Sequence, residues 1–353
     1  MIMKFSHPYI SILLVIALIV SACGINPVTG RREINFINEQ REIALGRNAS
    51  YEISKEYGVY NNTALESYVN EVGQRLVNVS DRTSIPFEFH VVDIPILNAF
   101  ALPGGYIYIT RGLLAELDNE AQLASVLGHE IGHVCARHSA SQLSEQLTFQ
   151  ILTLASLATP GAREMAPVAA ALTQSITLGY SREKEFEADT MGLNYMYRAG
   201  YDPVQSSVFL HQLSRSSQGP SGYSVYCSTH PDIFDRISAT RNEAKQIVGF
   251  NLSMDKIKGQ EGKGEAEVTR EEITGYRGKV LEDKYKSHLD GLLYGPREAP
   301  RRLRIYTVKE GDTIESIATD FVGNKRQAKE IAEFNKLEVD SPLRVGQKLK
   351  III

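Results

Sequence analysis

The stretch VLGHEIGHVCARH, residues 126–138, sets three histidines and a glutamate within ten positions, and it constrains the fold more than any other feature. A helix advances about 100° per residue, so His129 and His133 stand about 40° apart on one face, a single turn from each other. Glu130 lies beside that face. The pattern H-E-x-x-H in a helix puts two imidazoles on one zinc ion and a carboxylate next to the water that the ion holds. His138 falls about 180° from His129 on the same wheel and is expected to pack or cap on the opposite side. The longer pattern H-E-x-x-H-x-x-G-x-x-H is excluded, because Ala136 and Ser139 occupy the places of its glycine and last histidine. Catalytic zinc takes three protein ligands and keeps one position open, so a second element must meet this helix. The segment YSREKEFEADTMG (180–192) offers Glu185 and Asp189 on one helical face, with Glu187 pointing elsewhere. The same acids would also make an ordinary charged face with Arg182 and Lys184, so spacing alone leaves the third ligand open.

The chain of 353 residues allows one large domain with a small one, or two medium ones. Apolar residues at 43% and charged residues at 23% fit a globular protein with a sizeable core. A net charge of −4 and the lack of a basic stripe argue against nucleic acid as a partner. At the N-terminus, Lys4 and His7 precede an apolar run from Ile10 to Val20. That run is too short for a bilayer, which needs about 20 residues, and suits a signal peptide over residues 1–22. It ends in Val20-Ser21-Ala22-Cys23, which resembles a bacterial lipobox with Cys23 as the lipidated residue. Gly24 follows where a retention aspartate would stand, which favours the outer membrane. Cys135 and Cys227 are the other cysteines, too few for a disulfide scaffold.

After a turn-rich lead-in (24–37), Leu65, Tyr68, Val69, Val72 and Leu76 have the spacing of an amphipathic helix. FEFHVVDI (87–94) and GYIYIT (105–110) read as strands joined by the loop NAFALPGG. A long helix runs from Asn119 to about Ala140, and helical patterns follow over 142–158, 164–178, 181–199, 203–216 and 232–248. The charged stretch at 255–272 reads as a connector.

HEIGH, then SREKEFEAD, then STHPDIFDR (228–236) resemble, in order, the zinc metallopeptidases of the HtpX and CAAX prenyl protease family. The soluble periplasmic lipoprotein branch, BepA- and LoiP-like, fits best, and the resemblance runs from NPVTG (26–30) to GLLYG (291–295). It implies an α+β, mainly helical, gluzincin-type domain over 23–298 with a small β-sheet beside the active-site helix. It also implies one Zn²⁺ per chain on His129, His133 and Glu185, with Glu130 as general base toward zinc-activated water. Asp189 matches the second acid, a proton donor or an orienter of a zinc-binding histidine. His230 matches a histidine that stabilises the oxyanion or latches the fourth zinc position. GGYIYIT would lie beside the cleft, either as a core strand or as an edge that pairs with an extended peptide. Cys135 and Cys227 are either buried thiols or a disulfide fastening the STHP segment to the HEIGH helix.

Residues 304–353 have their own pattern. A strand leads to Asp312 as helix N-cap, Ile317, Phe321, Ile331 and Leu337 form a small core, and GQKLKIII closes as a strand. YTVKEGDT and VGQKL resemble a LysM domain, a separate small βααβ unit. The resemblance implies binding of N-acetylglucosamine-containing peptidoglycan through Gly311, Asp312, Thr313, Ile314 and Asn335. The expected function is that of a membrane-tethered zinc endopeptidase in the bacterial envelope, facing the periplasm. It would cleave misfolded or stalled envelope polypeptides and be held near peptidoglycan. An assembly factor or chaperone with silent or latched activity is the alternative, and a wall hydrolase is a third.

Overall fold

The computed structural model describes residues 23–157, 179–216, 223–251 and 278–353. The segments expected to be a signal peptide (1–22), a helix (164–178) and a connector (255–272) lie outside them. The lead-in is a hairpin, Cys23–Ile25 (β1) against Arg32–Ile34 (β2), followed by the helix Glu39–Tyr57 (α1). Helix Thr63–Val77 (α2) starts at Asn62, whose side chain accepts from Leu65 N, and it buries the five apolar positions that its spacing marks.

The central sheet has the order β3-β5-β4, from Glu88–Val92 (β3), Ala99–Leu102 (β4) and Tyr106–Thr110 (β5). Strand β5 pairs parallel with β3 and antiparallel with β4. This corrects one expectation, since NAFALPGG contains a strand, and of the two places open to GGYIYIT it takes the central one, with β3 and β4 at the edges. The alternation that marks a half-exposed strand is missing in β4 because all four of its residues are buried.

Arg111–Glu116 (α3) leads to the central helix Glu120–Cys135 (α4), capped by Asn119 through Gln122 N. Every residue of α4 is buried. It stops at Cys135, earlier than the pattern predicts. Arg137 adopts a left-handed φ of 60° and turns the chain into His138–Leu157 (α5). Arg182–Arg198 (α6), capped by Ser181, crosses α4 closely. The contact depends on glycine: a Cβ on Gly192 would stand 2.9 Å from His129 N, and one on Gly132 would stand 3.0 Å from Ala188 O. Val204–Ser216 (α7), Tyr223–Thr229 (α8) and Ile233–Asn251 (α9) complete the shell. Among the described residues no helix is long and apolar enough to cross a membrane.

Glu282–His288 (α10) precedes a third sheet, ordered β6-β7-β8, from Leu293–Tyr294 (β6), Arg301–Thr307 (β7) and Lys348–Ile352 (β8). Ile314–Asp320 (α11) and Ala328–Phe334 (α12) pack on it around Ile314, Ile317, Ile331 and Leu349. Thr313, rather than Asp312, is the N-cap, in a capping box with Ser316. Phe321 is 41% exposed and so lies outside the small core, against the expectation. Leu303 and Ile352 join the main core instead. Lys350 is buried, and its Nζ donates to Ala115 O (2.9 Å) and Leu117 O (3.2 Å), carbonyls at the end of α3.

Candidate metal centre

Helix α4 carries His129 and His133 one turn apart, and the glycine-lined crossing brings Glu185 of α6 against them. His230 arrives just after α8. One ligand atom from each of His129, His133, Glu185 and His230 lies within 4.8 Å of all the others, and all four residues are buried. Nε2 of His129 and Nε2 of His133 face each other at 3.0 Å. Glu185 stands 3.4 Å from both through its two oxygens. His230 donates from Nε2 to Ala99 O of strand β4 (3.3 Å). Its Nδ1 lies 3.3 Å from His129 Nε2 and 3.2 Å from Glu185 Oε1.

The second acid, Asp189, accepts from Nδ1 of His129 at 2.9 Å. That contact places it to orient the His129 ring. The sequence reading overlooked Arg236. Its Nε and Nη2 donate to Asp189 at 2.7 Å each, and its Nη1 lies 2.6 Å from Glu185 Oε2. Its only signal in the sequence was its place six residues after His230, inside the STHPDIFDR segment. Tyr180, also unassigned, stacks on His133 with ring centroids 4.0 Å apart and bonds Ser139 Oγ.

Glu130 is 0% exposed, and both of its carboxylate oxygens are without a hydrogen-bond partner. His230 Nε2 lies 3.5 Å from its Oε1. Burial pushes its carboxyl above the usual range. A buried carboxylate with no donor costs several kcal/mol, so this one is arranged for something the polypeptide does not supply. Glu185 differs. Burial would raise its pKa, but Arg236 and the histidines hold it well below the usual value, so it is an anion. Burial holds His133 well below the usual histidine value, hence neutral. A neutral His133, an anionic Glu185 and an unsatisfied acceptor beside them are a donor set that fits a bound metal ion. Against burial, Glu185 and Asp189 raise the pKa of His129 to about 9, and the ion would displace the proton they hold on it. Phe100, Ala101, Tyr180, Thr229 and His230 line a small cleft over Glu130.

Cys135 is a buried free thiol, raised in pKa by that burial. The side chain of Cys227 lies outside the described ones. In the C-terminal unit Gly311 takes a φ of 83° in a turn where Asp312 Oδ2 accepts from Lys309 N and Tyr306 Oη. Ile314 is core, and Asn335 ties β8 by donating to Lys350 O and accepting from Lys350 N. The structure therefore brings Gly311, Asp312 and Thr313 to the surface and uses Ile314 and Asn335 internally.

A family model for LysM domains matches residues 306–351. Over 197 residues the chain is 34% identical to the beta-barrel assembly-enhancing protease of Escherichia coli (strain K12), covering 53% of this chain and 40% of the relative. The Yersinia pestis protein of that name is 35% identical over 193 residues, 52% of this chain and 40% of the relative. The mitochondrial metalloendopeptidase OMA1 of Schizosaccharomyces pombe is 32% identical over 218 residues, 60% of this chain and 63% of the relative. The chain thus spans well under two thirds of these bacterial relatives. The peptidase family M48 model matches residues 63–244, the half of the chain that holds both crossed helices, the sheet and His230. On that match the chain belongs to peptidase family M48, a metallopeptidase family, and carries a LysM domain at its C-terminal end.

Proposed function

We propose that this protein is a zinc-dependent endopeptidase of the bacterial envelope. The observation that carries the reading is Glu130, a fully buried carboxylate with no donor, beside a convergent His-His-Glu set. His129, His133 and Glu185 would hold Zn²⁺, which lowers the pKa of bound water and polarises a scissile carbonyl. Glu130, raised in pKa by burial, is suited to take a proton and return it to the leaving amine. Strand β4 is the sheet edge beside the site, where an extended peptide can add main-chain hydrogen bonds. Thr229 and His230 now stand over that edge, with His230 on Ala99 O.

That placement favours a second, compatible reading. With its Nδ1 among the convergent atoms, His230 would take a fourth ligand position and latch the site at rest, and an assembly or chaperone role could run beside a conditional protease. The similarity to proteins named for enhancing beta-barrel assembly points to misfolded or stalled envelope polypeptides as substrates. We also assign residues 1–22 to a signal peptide, Cys23 to a lipid anchor facing the periplasm at the outer membrane, 23–298 to the peptidase domain and 304–353 to the LysM domain. The latter would bind peptidoglycan through the turn at Gly311–Thr313.

Zinc content and cleavage of unfolded casein by the mature chain, beside Glu130→Gln and His230→Ala, test this. Glu130→Gln should keep zinc and lose about 10²- to 10⁴-fold in cleavage. His230→Ala should keep zinc and cleave faster if the latch reading holds. A wild type without zinc, or a Glu130→Gln variant that still cleaves, ends the assignment.

A further inference from the structure

His138 has no part in the reading above, yet it is fully buried, with Nδ1 only 2.8 Å from Nδ1 of His133. Two ring nitrogens at that distance share one proton, and the rest of the site decides whose it is. Nε2 of His133 points at Nε2 of His129, among the convergent ligand atoms. A ligand nitrogen presents a lone pair, so each of these rings keeps its proton on Nδ1. His129 gives that proton to Asp189. His133 gives it to His138, whose own proton is thereby placed on Nε2.

That Nε2 is buried without a hydrogen-bond partner and lies 3.7 Å from Glu187 Oε1, the closest acid. Glu187 is itself held by Asn26 Nδ2 at 2.9 Å, and the same amide nitrogen donates to Glu33. Asn26 is rigid in turn, because its Oδ1 accepts from Val28 N and Thr29 N. Arg137 makes the arrangement reachable: its left-handed backbone folds His138 back over the end of α4, and its Nε donates to buried Glu42 (2.8 Å).

We propose that His138 is the positioning residue of His133. The line His133–His138–Glu187–Asn26 fixes the ring's tautomer and aim as Asp189 and Arg236 do for His129. It draws the segment just after Cys23 into the scaffold of the metal site. Partners of this kind raise the basicity of a ligand histidine, and losing them typically costs about 10- to 100-fold in metal affinity.

The proposal rests on the metal reading, and the two can fail separately. Zinc affinity is measured by competition with a chromophoric chelator on the mature full chain, alongside thermal melting followed by circular dichroism. His138→Phe should bind zinc about 10- to 100-fold more weakly while melting as one folded protein. His138→Asn, which restores an acceptor near the place of Nδ1, should recover most of that loss, and Glu187→Ala should show a smaller loss in the same direction. If His138→Phe does not fold, Glu187→Ala and His138→Asn carry the test. A folded His138→Phe with wild-type affinity overturns the proposal, as does Glu187→Ala with wild-type affinity where His138→Phe is unfolded. A wild type that binds no zinc overturns the metal assignment itself.

Discussion

The metal centre and the turn at Gly311–Thr313 of the LysM unit both gather polar side chains, but they treat them in opposite ways. In the turn the polar atoms answer to the fold: Asp312 accepts from Lys309 N and Tyr306 Oη, and Thr313 and Ser316 cap each other. At the metal centre Glu130 is fully buried and neither of its carboxylate oxygens has a donor from the chain. The difference teaches that the same residue types serve the fold where they are paired, and that Glu130 stands out because both oxygens of one buried carboxylate are unpaired beside a convergent ligand set. Polar groups in the LysM unit should contribute to stability, whereas Glu130 should detract from it.

The comparison has a hinge in Arg236, which satisfies the acids of the metal centre. Arg236→Ala leaves Asp189 and Glu185 buried without their cation, so the largest loss should be here, about 3–5 kcal/mol by chemical denaturation of the metal-free protein. A loss under about 1 kcal/mol would mean that the acids protonate or rehydrate freely. Asn335→Ala removes both bonds to the Lys350 backbone and should cost about 1–3 kcal/mol. Thr313→Ala should cost about 1 kcal/mol through loss of the cap. Sparing the stability of the LysM unit in either variant would break the contrast.

The smallest effect has the opposite sign. Glu130→Gln should leave the metal-free protein as stable as wild type or more so, by up to about 1 kcal/mol. Its pH dependence sharpens the point. Glu130 has its pKa raised above the usual 4.5, so the folded state binds more protons than the unfolded one. Wild-type stability therefore falls as pH rises above that usual value, relative to Glu130→Gln. Metal-free melting curves at pH 4 and pH 8 for the two proteins read this directly. A constant gap would show that Glu130 is not destabilised by its surroundings.

Much of the site was legible because helical periodicity is local. The 40° offset of His129 and His133 and the shared face of Glu185 and Asp189 follow from any helix. Strand β4 was not legible: a strand buried on both faces loses its alternation, and NAFALPGG carries loop residues at its end. His138 was misplaced for a related reason. The helix ends at Cys135 and Arg137 turns the chain, so helical spacing no longer holds at His138, which meets His133 at 2.8 Å.

The sequence by itself determined the family, two elements of the metal centre and the presence of a LysM domain, since these rest on residue types at fixed short spacings. The tertiary structure decided which residues serve those elements. Only the glycine-lined crossing of α4 and α6 brings Glu185 to the histidines, and only the return of the chain after α8 puts His230 and Arg236 there. Burial then sets the charge states: Glu185 is held as an anion by Arg236, while Glu130 is left without a donor. Those outcomes depend on distances between residues far apart in the chain, which no local pattern encodes.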